Sequence, residues 1–108
     1  MENRISKIID VLDRNKAEDI ESFNLEETDY FVSAVVIATG LGERHNEALL
    51  NFMKTELKPE EAFVNVEISD GWVVVDLGDI LVHIMTDSYR KLYDIKDFLV
   101  KFGKEETN

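Results

Sequence analysis

Hydrophobic positions along the chain follow two periods, and each switch of period marks a new element. Ile5, Ile8, Ile9 and Leu12 recur at i, i+3, i+4 and i+7, the spacing of a helix that buries one stripe, with Asn3 placed to cap it. Past Lys16 the segment AEDIESFNL begins a short strand, and the acidic cluster Glu26, Glu27 and Asp29 reads as a loop. YFVSAVVIAT, residues 30–39, is β-branched, aromatic and nearly uncharged, which predicts a strand covered on both faces. Gly40 and Gly42 break it, after which His45, Leu49, Phe52, Met53 and Leu57 share a helical stripe that Pro59 stops. Ala62, Val64, Val66 and Ile68 alternate with Phe63, Asn65 and Glu67, and Ser69, Asp70 and Gly71 supply hairpin turn chemistry. Residues 72–77 and 80–85 are two further strands around Gly78, and Ile95, Phe98, Leu99 and Phe102 form a last helical stripe behind the capping residue Asp94. The order α-β-β-α-β-β-β-α predicts an α/β fold, a mixed sheet flanked by helices in a single domain over residues 1–102, with GKEETN at 103–108 as a frayed tail.

Charge narrows the partners. Among 108 residues, 12 basic side chains face 23 acidic ones, a net charge of −11. Such a surface repels nucleic acid, whose binding rests on Lys and Arg displacing counterions, and attracts basic proteins. The absence of cysteine excludes a disulfide framework, a zinc ribbon and a thiol nucleophile. Charges interrupt the apolar positions of MENRISKIIDVLDRN, so no signal peptide is read there, and no transmembrane run follows; the expectation is a soluble cytoplasmic protein.

Asp76, Asp79 and His83 are the one cluster that resembles a metal or acid–base site, but side chains three apart on a strand point to opposite faces unless the turn at Gly78 reorients one. No metal and no cofactor is therefore expected. Ser33 and Ser88 lack the His and Asp spacing of a nucleophile, and His45 is placed to hydrogen-bond a neighbouring loop. ATGLGERH at 38–45 joins a strand to a helix, yet without a Walker lysine or a third glycine, and with Glu43 at the helix start, it reads as a plain turn. Trp72, Val74 and Asp76 share one strand face and Val73, Val75 and Leu77 the other, core-like one. Arg90 and Tyr93 are adjacent on a short helix, and both are residue types favoured as interface anchors.

Four of these stretches together, KAEDI at 16–20, DYFVSAVVIATGLGERH at 29–45, GWVVVDLGDILVHIM at 71–85 and RKLYDI at 90–95, resemble the ribosomal silencing factor family, also called Iojap or YbeB-like. The resemblance implies a mixed five-stranded sheet of nucleotidyltransferase-like topology. It also implies a non-enzymatic factor that binds the large ribosomal subunit through protein L14 (uL14), hinders joining of the small subunit and damps translation when nutrients are scarce. Family members also form homodimers, and in organelles take part in large-subunit maturation. This chain departs from the family pattern at Leu77, where an aromatic is common, and at Gly42 and Glu43 ahead of Arg44 and His45, where a serine is common. The residues expected to meet L14 are Trp72, Asp76, Leu77, Asp79, His83, Arg90 and Tyr93, with no catalytic residue. A metal-dependent nucleotidyltransferase using Asp76 and Asp79 is the alternative from another class, and it lacks the Gly-Ser turn such enzymes present.

Overall fold

The parallel pair at the centre of the sheet is what the uncharged runs build. In a computed structural model describing residues 1–102 and 105–107, the elements are α1 (Glu2–Arg14), β1 (Glu18–Asn24), β2 (Ala34–Gly40), α2 (Glu43–Leu57), β3 (Asn65–Ser69), β4 (Trp72–Asp76), β5 (Ile80–Thr86), α3 (Asp87–Leu92), α4 (Ile95–Leu99) and β6 (Glu105–Thr107). The strand order is β3-β4-β5-β2-β1-β6. β2 and β5 run parallel and every other neighbouring pair is antiparallel, so the expected mixed five-stranded sheet is present and β6 adds three residues along β1. Of the tail expected at 103–108, residues 103, 104 and 108 lie outside the described residues.

Every residue of β2 is buried, as a strand covered on both faces requires. On one side Val36, Ala38, Val73, Val75, Val82 and Ile84 meet Ile5, Ile8, Ile9 and Leu12 of α1 and Leu49, Leu50, Met53 and Leu57 of α2. On the other, Phe23, Val35, Ile37, Leu81 and Met85 meet Leu99 of α4. Arg4 ties the first layer together: it donates twice to Glu61 after α2, at 2.8 Å each, and twice to Asp79 in the β4–β5 turn, at 2.6 and 2.8 Å. These bonds hold the Asp79 carboxyl below its ordinary value and raise that of the guanidinium.

Four local expectations are corrected. The first helix starts at Glu2 with Met1 as its N-cap, so Asn3 lies inside it. Residues 30–33 precede the strand, because the N–H groups of Ser33 and Ala34 both bond to the Asp79 carbonyl and bend the chain into β2. The buried stripe of α2 is Asn46, Leu49, Leu50, Met53 and Leu57, which leaves Phe52 exposed and His45 at the margin. There His45 Nδ1 accepts from Leu41 N–H at 2.9 Å, which leaves the proton on Nε2 to bond the Asn15 carbonyl at 2.8 Å. The last helix ends at Leu99, its one fully buried residue; Phe98 is exposed, and Phe102 lies in the turn beyond the helix and is partly exposed.

Asn46 explains why a glycine ends β2. A Cβ on Gly40 would stand 1.8 Å from Asn46 Oδ1, and the Asn46 side-chain amide is buried with no hydrogen-bond partner among the described residues. Gly40→Ala is therefore expected to cost about 2 kcal/mol by overpacking. Asn46→Ala removes an unsatisfied amide and makes room for the methyl, so the double variant recovers most of the loss. Urea unfolding of the four proteins checks this, and additive single effects would show that the two positions are uncoupled.

Candidate functional site

Alternation along β4 turns Trp72, Val74 and Asp76 away from α1 and α2, and cross-strand pairing sets Met85, His83 and Leu81 of β5 beside them. On this side α3 packs over β5 and β2, whereas the β3 residues Asn65, Glu67 and Ser69 are exposed. Where the helical cover ends, an open groove of about 430 Å³ runs over the sheet.

Two aromatic groups line it. Trp72 packs on Tyr93 with ring centroids 5.2 Å apart. Tyr30 lies 4.8 Å from Phe31 and 6.1 Å from Phe98 by the same measure. Phe31 is 74 % exposed and Phe98 48 %, so large apolar faces stand open to water here. Between these groups His83, only 9 % exposed, accepts the Trp72 indole N–H on Nδ1 at 3.0 Å. Burial pushes its pKa down to about 4, so the ring is neutral at pH 7. Asp94, whose carboxylate caps α4 by accepting from Asp97 N–H, is the acid in the groove lining, and Asp76 and Glu67 lie on the same sheet face.

Of the seven residues expected to meet a partner, the structure brings Trp72, His83 and Tyr93 together. Asp76 stays on this sheet face but is taken up by its own turn, and Leu77, Asp79 and Arg90 lie elsewhere. Leu77 is buried among the residues beneath α1 and α2, which leaves it no side chain to offer a partner. Asp76 accepts from Gly78 N–H at 2.7 Å and shapes its own turn, where Gly78 takes a φ of +97° that favours glycine. Asp79 is held by Arg4 on the opposite side of the sheet edge. Arg90 is mostly buried, pairing with Glu21 and donating to Thr39 Oγ1 at 2.9 Å, while Lys96 also reaches Glu21, so these bonds fasten α3 to β1 and β2 and α4 to β1. Asp76, Asp79 and His83 thus have separate engagements, and no group of three metal-ligating side chains is found among the described residues. Among the same residues no helix is long and apolar enough to cross a membrane.

Tyr30, Phe31 and Phe98 were missed because each was absorbed into an element's apolar pattern. The available signal was length: a ten-residue apolar run exceeds an ordinary strand, so its first residues belong to something else.

The family model described as ribosomal silencing factor during starvation matches residues 1–106. A ribosomal silencing factor from Chromobacterium violaceum is 36 % identical over 98 residues, which covers 85 % of this chain and 79 % of that protein. The Mus musculus protein named mitochondrial assembly of ribosomal large subunit protein 1 is 26 % identical over 102 residues, covering 85 % of this chain and 43 % of that one. A crystal structure of a Chromobacterium violaceum protein superposes with a TM-score of 0.84 at 28 % identity, over 98 % of this chain and 89 % of that one. With the family match running almost the whole length and the fold shared over 98 % of the chain with a solved structure, the chain belongs to the ribosomal silencing factor family.

Proposed function

We propose that the chain represses translation by docking its aromatic groove and the acidic sheet face beside it on protein L14 (uL14) of the large ribosomal subunit, where its bulk keeps the small subunit from joining. No bond is made or broken. The observation that carries this is an exposed aromatic groove beside Asp94, Asp76 and Glu67 in a chain of net charge −11, a combination that favours a basic protein partner. The name of the mouse relative supports the large subunit as the particle engaged. Subunit joining takes place in the cytoplasm, which is where the reading puts the protein.

The test mixes purified large subunits with the chain and then adds small subunits in a sucrose gradient. Stoichiometric chain is expected to deplete coupled ribosomes, and undiminished coupling at excess would end the reading. Glu67→Lys reverses an exposed charge that makes no side-chain bond among the described residues and is expected to weaken co-sedimentation about threefold to tenfold, more at low salt than at high. Binding as tight as wild type at every salt concentration would remove the acidic face from the interface.

Self-association is a second part of the proposal. β3 is an edge strand with Ile68 exposed and Val64 exposed just before it, which suits strand pairing between two copies. Sedimentation over a concentration series reads it directly.

A further inference from the structure

We infer that His83 Nε2 is the polar anchor of the groove: it donates its N–H to a main-chain carbonyl of a basic segment of the partner, whose Lys or Arg side chain lies across Trp72 and Tyr93 towards Asp94. This rests on the docking reading above and names the chemistry by which that surface recognises its partner.

The proton's position follows from the indole. An indole N–H only donates, so the Trp72 to His83 bond at 3.0 Å makes Nδ1 an acceptor and leaves the hydrogen of the neutral ring on Nε2. Nε2 has no hydrogen-bond partner among the described residues, yet it is not sealed from solvent, and His83 lines the groove. A donor open to solvent exchanges hydrogen bonds with water in the free chain. A partner covering the groove expels the water and must bring an acceptor, because a buried bare donor costs free energy that apolar contact does not return.

The surroundings decide which acceptor and which side chain. Asp94 in the lining, Asp76 and Glu67 on the same face and the net charge of −11 all oppose a carboxylate. An uncharged carbonyl meets no such opposition, and every peptide segment carries one. The groove's other offerings are ring faces and a carboxylate. Trp72 and Tyr93 are in tilted contact, 5.2 Å apart by centroid, and both line the groove; aromatic surface of this kind suits a guanidinium or ammonium and its aliphatic stem. Asp94 uses Oδ1 to cap α4, and among the described residues its other oxygen makes no bond, so it can meet that cation.

The experiment uses purified L14 and the full chain labelled with ¹⁵N at histidine. Saturating L14 is expected to shift the His83 Nε2 resonance while Nδ1, still bonded to Trp72, moves little. His83→Phe is expected to weaken binding roughly tenfold, the loss of one buried hydrogen bond. His83→Gln, whose amide both accepts the indole and donates outward, stays within about threefold of wild type. Asp94→Asn keeps the cap and removes the charge, so it weakens binding about threefold and flattens the salt dependence. An unmoved Nε2 resonance in a complex that does form, or a folded His83→Phe that binds like wild type, overturns the anchor and leaves L14 docking standing. No binding of L14 by the wild-type chain overturns both. A shift that grows with chain concentration in the absence of L14 assigns the groove to a second copy and also overturns the inference.

Discussion

Taking the protein from pH 7 to pH 4 is expected to remove about 3 kcal/mol of folding stability through His83 alone. Burial lowers the pKa of this ring from 6.5 to about 4 in the folded chain. Between those values the unfolded state binds a proton that the folded state refuses, so stability falls as pH drops through that window. Below about 4 both states are protonated and the loss stops growing. Asp79 acts later. Its carboxyl is held below 3.8 by Arg4, so its stabilising contribution is lost only as the pH falls through that lower range. Neutralising carboxylates on a chain of charge −11 relieves self-repulsion and works in the opposite direction. The wild-type curve therefore mixes several signs, and subtracting the His83→Phe curve isolates the ring. Urea midpoints at pH 7, 5.5 and 4 are expected to show the gap between the two proteins narrowing or reversing as acid is added. A constant gap would mean that the imidazole is not held neutral.

The same histidine shows how far the sequence could be read and where it stopped. Periodicity located α1, α2 and every strand of the five-stranded sheet, because burying one stripe or one face leaves a repeat that survives in a single chain. Alternation along β4 placed Trp72 and Leu77 on opposite faces, which the structure bears out. Leu77 nevertheless entered the expected contact set through the family resemblance, and the alternation reading was the better guide. Arg90 and Asp79 show a different limit. A charged side chain's partner lies tens of residues away, Glu21 for Arg90 and Arg4 for Asp79, and nothing local distinguishes such a clamp from an open anchor. Charge reversal at Asp79 would set a lysine against Arg4 and leave that guanidinium held by Glu61 alone among these partners, so it reports on the fold before it reports on docking. The Trp72 to His83 bond is likewise a matter of cross-strand register, and it became visible only once β4 and β5 were paired.

Trp72→Ala is expected to lower affinity for the large subunit at least a hundredfold, about 3 kcal/mol, while the protein stays folded. Two features make this position dominant. The indole is half-buried and already fixed by its bond to His83 and its tilted contact with Tyr93, so little side-chain freedom remains to be lost on docking. It also joins the groove to the open part of the sheet, where Val74 and Glu67 continue the same face. Removing it detaches Tyr93 from its neighbour and leaves His83 Nδ1 without a donor, but it spares Val73 and Val75 in the main core. Trp72→Phe retains part of the aromatic contact, since it keeps one ring against Tyr93 while deleting the indole N–H and the second ring. It should lose about tenfold. Co-sedimentation with large subunits at fixed salt ranks the three proteins, and urea unfolding confirms that each is folded. If folded Trp72→Ala blocks subunit joining as well as wild type does, the partner is bound elsewhere, and the exposed β3 edge becomes the surface to test.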